Sequence, residues 1–349
     1  MRRNILATAI IGTISASVCA PAWAQTPAEF YRNAGIRISV GFGSGGGYDI
    51  YARTLARHLG KHVAGNPSVV VQNMPGAGSL KAANFIAVQA PKDGSHIATF
   101  SRGIPFQPLI DNRGFQFDPL KLAWIGSPAT EVSIVFARKD KNFRTIQDVM
   151  KRPFISPASG TGADSAIYPY IMNALIGTQF KVVTGYRGSG DFMLSIEKGE
   201  SDGSAGSSIS TVRSSRPHWE TEKTIDIILQ LALKKHPDFP DVPLILDLAK
   251  SAEDRQTMEL IFARQSIAFP FAAPGETPPD RLAALRAGFY ATVADPAFIA
   301  EATKQGMEVD LVKAEEVEAI LKRVFGSSPA AIARAKDAIA AGIKASSQK

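Results

Sequence analysis

The run from Ile36 to Arg53 constrains this chain more than any other. Ile36, Ile38 and Val40 alternate with Arg37 and Ser39, the period of a strand. Gly41-Phe42-Gly43-Ser44-Gly45-Gly46-Gly47 follows, and then Ile50, Ala52, Leu55, Ala56 and Leu59 share one helical face. Five glycines leave this backbone little side-chain cover. The first N–H groups of the helix have no intrahelical partner, so the turn suits an anion, read here as a carboxylate.

The device returns. Val69 to Gln72 reads as a second strand, Asn73-Met74-Pro75-Gly76-Ala77-Gly78-Ser79 as its turn, and a helix begins near Leu80. Further strands are expected at 97–100, 122–126, 133–137, 154–156, 182–183, 225–229 and 269–272, with helices between several of them. Such alternation predicts an α/β fold with doubly wound, mostly parallel sheets, whose ligands bind beyond the carboxyl ends of the strands. Pro169 is tolerated near a helix's first turn, which sets a helix start beside Ser159 to Ser165. The serine- and glycine-rich run 201–210 is too short, and too closely flanked by structure, to be a linker. The alanine-rich helix from Pro329 to Lys344 is expected to pack back onto the first lobe rather than to bind a partner.

Arg2 and Arg3, an apolar run from Ile5 to Val18 and Ala22-Trp23-Ala24 predict a signal peptide over 1–24, cleaved after Ala24. The single cysteine, Cys19, falls within it, so the mature chain would have no disulfide, thiol nucleophile or cysteine-bound zinc. Losing Arg2 and Arg3 takes the formal charge from +7 to +5, with no basic block that would mark a nucleic-acid surface. No later apolar run is long enough for a membrane helix, so a soluble periplasmic product is expected.

Two enzymatic readings fail on the residues. Gly41, Gly43 and Gly46 satisfy Gly-x-Gly-x-x-Gly, but no Asp or Glu lies between Ile50 and Lys92 to bind the ribose of a dinucleotide. No Gly-x-Ser-x-Gly elbow singles out a nucleophilic serine. His58 and His62 stand four apart without the Glu of the zinc-protease pattern, and read as surface histidines. No enzyme activity, cofactor or metal is expected.

Taken together, Gly46-Gly47-Tyr48-Asp49, Asn73-Met74-Pro75-Gly76-Ala77-Gly78, Pro91-Lys92-Asp93-Gly94, Ser159-Gly160-Thr161-Gly162, Tyr186-Arg187-Gly188-Ser189-Gly190, Pro240-Asp241-Val242-Pro243 and Ala273-Pro274-Gly275 resemble the solute-binding proteins of tripartite tricarboxylate transporters. These are Bug or TctC-like extracytoplasmic receptors, and the resemblance covers nearly the whole mature chain. It implies a two-lobed, type II Venus-flytrap fold closing on a carboxylate held largely by backbone amides. Lobe 1 would comprise 25–127 and 230–349, and lobe 2 residues 128–229. The implied contacts in lobe 1 are Phe42, Gly43, Ser44, Gly45, Gly46, Gly47, Tyr48 and Asp49, then Pro75, Gly76, Ala77, Gly78 and Ser79, then Ser101 and Arg102. In lobe 2 they are Ser159, Gly160, Thr161, Gly162, Asp164 and Ser165, followed by Tyr186, Arg187, Gly188, Ser189 and Asp191.

Several of these residues have a second reading. Asp49 fits a helix cap as well as a ligand contact. Arg102 and Arg187 can clamp a carboxylate or serve ordinary salt bridges. Phe42, Tyr48 and Tyr186 can stack on a flat ligand or pack between lobes. Ser79 stands where the family pattern has glycine. The expected function is a monomeric receptor passing its carboxylate to membrane subunits of a secondary transporter. A sensor for a signalling partner and a secreted enzyme on the same fold are the alternatives.

Overall fold

The computed structural model describes residues 25–347; the expected leader and Cys19 lie outside the described residues. Strands β1 (Ile36–Val40), β2 (Val69–Asn73), β3 (His96–Thr99), β4 (Ala123–Ser127), β5 (Ser133–Arg138) and β6 (Phe154–Ala158) come first. They are followed by β7 (Phe180–Thr184), β8 (Gly203–Ser208), β9 (Ile225–Leu231), β10 (Phe271–Ala273) and β11 (Val312–Lys313). One sheet runs β11-β4-β10-β3-β1-β2, a second runs β8-β5-β9, and β6 pairs with β7. The α/β, two-lobed architecture is as expected, but the sheets are mixed. β1 runs parallel to β2 and β3, and β6 parallel to β7, whereas β10, β11, β5, β8 and β9 pair antiparallel. Parallel pairs come from strand-turn-helix units; the antiparallel strands are those adjoining the passages between lobes.

Ile36, Ile38 and Val40 are buried while Arg37 is exposed, and the helix Gly47–Leu59 lays Leu55 and Leu59 on the same core with Phe271 and Phe289. In the other lobe Ile134, Phe136, Met193 and Trp219 form a separate cluster. Trp124 and Trp219 are both core residues. The serine-glycine run is no linker: all six residues of β8 are buried. A Cβ at Gly203 would lie 2.0 Å from the Phe136 carbonyl oxygen, and one at Gly206 3.0 Å from the Tyr168 ring. Small residues are what this strand can accommodate between its neighbours.

Two segments, 128–132 and 263–270, link the sheets side by side. Glu131 N–H donates to the Gln265 carbonyl (3.0 Å), Ala268 N–H to Ala129 (3.2 Å) and Phe269 N–H to Ser127 Oγ (3.1 Å). The helix Asp164–Leu175 begins directly after the Ser159–Gly162 turn, as expected, although Pro169 lies past its first turn.

The C-terminal helix Pro329–Ser347 corrects the expectation for it. It packs on Asp164–Leu175 of the second lobe and on Ala252–Phe262, which precedes the second linking segment, away from the first-lobe sheet. Tyr170 Oη meets Ser346 Oγ at 3.1 Å, and Arg334 Nε donates to Asp254 Oδ1 at 2.7 Å. Ala331, Ala335, Ala338 and Ile339 supply its buried stripe. Alanine periodicity predicts a buried face but carries no information about which lobe it meets.

Candidate functional site

The loops at the carboxyl ends of β1, β3, β6 and β8 converge on a cavity of about 60 Å³ between the lobes. From the first lobe Phe42, Tyr48, Ser101, Arg102 and Phe269 line it. From the second come Ser159, Ala163, Asp164, Ser165, Ser189 and Phe192, with Gly206, Ser207, Ser208 and Thr211. Eight of the sequence-predicted contacts are therefore on the wall: Phe42, Tyr48, Ser101, Arg102, Ser159, Asp164, Ser165 and Ser189.

Arg102, at the exit of β3, is buried. Its Nε donates to Asp164 Oδ2 at 2.7 Å, and Nη2 to the hydroxyls of Ser133 (3.1 Å) and Ser208 (3.0 Å). Arg264, from the second linking segment, donates Nη1 to Asp164 Oδ1 at 3.0 Å, and the Tyr168 hydroxyl donates to Oδ2 at 3.0 Å. Burial pushes the Asp164 carboxyl up, but Arg264 and Arg102 outweigh it and hold the group below the usual carboxylate range. Asp164 is thus an anion shared by two guanidiniums, and the bridge from Arg102 ties lobe to lobe. The Tyr48 hydroxyl donates to the Ala268 carbonyl (3.1 Å) and accepts the Arg102 N–H (3.0 Å); burial pushes it up to about 12, so it stays a neutral phenol.

The glycine turns act differently from what the sequence suggests. Gly43 N–H donates to the Arg187 carbonyl (2.9 Å), Gly45 N–H to Asp49 Oδ2 (2.9 Å) and Gly47 N–H to Ser189 Oγ (3.2 Å). Amides expected to grip a ligand are therefore spent on the protein, two of them across the lobe boundary. Ser44 and Gly45 lie exposed at the turn's outer edge. A Cβ at Gly46 would meet Ser189 Oγ at 2.5 Å, one at Gly78 the Ala163 Cβ at 3.2 Å, and one at Gly160 the Gly78 nitrogen at 2.7 Å. Glycines here let the two lobes touch backbone to backbone.

Asp49 is a brace. It accepts from Gly45 N–H, Arg53 Nε and Asn73 Nδ2 and is off the cavity wall. Arg187 pairs with Asp191 at 2.9 Å, its side chain 72% exposed, so it clamps nothing in the cavity. Tyr186 lies edge-on to Phe192 at 5.8 Å, half-buried and off the wall. Pro75, Gly76 and Ala77 form the turn under Ser79, whose Oγ accepts the Ser101 N–H at 2.7 Å. That bond rationalises a serine at φ +79°, where glycine is the unstrained choice. Thr161 is exposed, Gly162 abuts Gln107, and Gly188 packs on Phe42. His58 and His62 pair with different carboxylates, Glu301 (2.7 Å) and Asp295 (2.8 Å).

Sequence reasoning missed Ala163, Phe192, Phe269 and the Gly206 to Thr211 stretch. The last had a signal, since a serine-rich segment that is not a linker must bury its hydroxyls against something. Phe269 and Arg264 had none, lying far along the chain from the loops they join.

A family model described as "Tripartite tricarboxylate transporter family receptor" matches residues 51–325. The UPF0065 protein in the gbd 5′ region of Cupriavidus necator is 27% identical over 257 residues, 71% of this chain and 74% of that protein. The periplasmic binding protein BugD superposes with a TM-score of 0.70 at 23% identity, covering 87% of this chain and 97% of that one. MatC from Rhodopseudomonas palustris, solved with bound malate, gives 0.68 at 17% identity over 87% and 98%. At these identities the two structures establish the fold.

Proposed function

The chain belongs to the tripartite tricarboxylate transporter receptor family, and from that premise we propose that it is a periplasmic receptor whose two lobes close on a small carboxylate. The observation that carries this reading is the interlobe cavity with one guanidinium on its wall, surrounded by hydroxyls and aromatic rings. A receptor needs contacts that exist only in the closed form, because a ligand shifts an equilibrium only by its differential affinity for the two states. The bonds from Gly43 to Arg187 and from Gly47 to Ser189 are of that kind. MatC, of the same fold, holds a carboxylate too, malate, which carries two carboxyl groups.

In this reading the first lobe comprises 25–127 and the return from 271 to 325, the last helix goes with the second lobe, and the linking segments serve as the hinge. The leader 1–24 directs export and is removed after Ala24. The closed, loaded form docks transiently on membrane subunits of a secondary transporter and performs no catalysis.

Thermal unfolding of the mature chain with a panel of small mono-, di- and tricarboxylates tests the core of this. A ligand for the folded state raises the melting temperature, the stabilisation growing as the logarithm of its concentration over Kd. At least one acid should do so, whereas a shift by nucleotides with none by any acid would end the receptor reading.

A further inference from the structure

The cavity's buried charges can be counted. Arg102 and Asp164 are the charged side chains on its wall, and Arg264, 1% exposed, holds the second oxygen of Asp164. Two guanidiniums against one carboxylate leave one positive charge in excess. Glu131, on the first linking segment, is not on this wall: it lines a separate groove with Lys234, Lys235 and His236 and accepts from the Ser210 hydroxyl, and burial pushes its carboxyl up toward the neutral form, so it stands outside the count.

The excess charge has one unpaired donor. Arg102 spends Nε on Asp164 and Nη2 on Ser133 and Ser208, while Nη1 has no acceptor among the described residues. The residue is 4% exposed, so bulk water does not reach that donor freely. A buried charged donor without an acceptor is costly, and an anion on Nη1 relieves the cost.

Resting on the receptor reading above, we infer that the Arg102–Asp164–Arg264 triad fixes the ligand's charge: the cavity takes a small monocarboxylate, one carboxylate oxygen on Arg102 Nη1, and discriminates against dicarboxylates. The ligand body is apolar or aromatic and tolerates hydroxyl groups. One carboxylate brings the buried count to zero. A second would be buried with no cation left to pair it, beside Asp164 and among Phe42, Phe192 and Phe269. Phe42 and Tyr48, stacked with centroids 4.6 Å apart, give the body a flat apolar wall. Ser159, Ser165, Ser189, Ser207 and Thr211 can hydrogen-bond hydroxyls but bring no positive charge. Asp164 is therefore the residue that sets specificity, because it consumes the charge a second carboxylate would need.

The test is calorimetric titration of the mature chain at pH 7 with acid pairs that differ only in the second carboxylate: butyrate and succinate, hexanoate and adipate, 4-methylbenzoate and terephthalate. The expected result is a monoanion that binds at least about tenfold tighter than its dianionic counterpart. In Asp164→Asn the excess rises to two, and the preference should shrink to below roughly threefold or invert. If Asp164→Asn does not fold, the wild-type pairs alone decide. Dianions binding as tightly as their monoanions in the wild type would overturn the charge count and leave the receptor reading standing. Binding by no acid in the panel would remove both.

Discussion

Glu131 lies where the chain leaves the first sheet, 6% exposed, with Oε1 accepting from the Ser210 hydroxyl and Oε2 without a partner among the described residues. Burial, opposed by Arg102 and reinforced by Glu308, pushes its carboxyl from 4.5 up to about 8. Between those values the folded protein binds the proton more than the unfolded chain does. Stability from this residue is thus intact below pH 4.5, falls as pH rises through the window and is lost above about 8. The full cost is on the order of a few kcal/mol. Melting curves from pH 5 to roughly pH 8.5 should show the wild type losing stability relative to Glu131→Gln, which keeps the hydrogen bond and cannot ionise. Parallel profiles would contradict the assignment. Little of this was legible beforehand. Arg102 announces itself as a cation at a strand exit, but its partners Asp164 and Arg264 join it only through the fold: Asp164 is 62 positions from Arg102 and 100 from Arg264. Asp49 was readable as a first-turn acid, and its brace on Gly45 is that local chemistry realised.

The strand-glycine-helix unit was legible from pattern alone because its period and turn residues are local properties. The role of its glycines was not, since the atoms they must avoid belong to the other lobe. Gly46 has φ −98° and ψ 170°, backbone that any residue adopts, yet a Cβ there would lie 2.5 Å from Ser189 Oγ. Gly45 is the converse: φ is +80° and nothing lies within 4 Å. Two substitutions one residue apart should therefore separate closure from folding. Gly46→Val should weaken ligand binding by roughly a hundredfold, the effect of a buried contact that cannot relax, with melting almost unchanged. Gly45→Ala should cost about 1 kcal/mol of stability through left-handed strain and leave affinity near wild type. Calorimetry and thermal melts on both variants check this, and a matching loss of affinity in Gly45→Ala would place that turn on the ligand after all.

At the scale of the molecule, the chain changes lobe once more after the two linking segments. The helix Ala314–Phe325 packs on β4 and the next helix, Pro329–Ser347, on Asp164–Leu175, so 326–328 is a third connection. Had the last helix packed on the first lobe, as the alanine pattern suggested, it would have stayed with that lobe when the cleft opened. Lying on the second, it instead travels with Asp164, which starts the very helix it covers. Removing 329–349 would expose Ala331, Ala335, Ala338, Ile339 and the Tyr170 ring that Gly342 covers. At about 0.8 kcal/mol per buried methylene that is a loss of several kcal/mol, a drop of roughly 5–10 °C in melting temperature for a chain this long. The cavity lies at the other end of Asp164–Leu175, and neither cross-lobe bond from Gly43 or Gly47 involves the deleted helix. Affinity measured well below the melting transition should consequently stay within about threefold of the full chain. A loss beyond tenfold would mean that the helix holds the lobes in register, and that closure depends on the third connection as much as on the two that form the hinge.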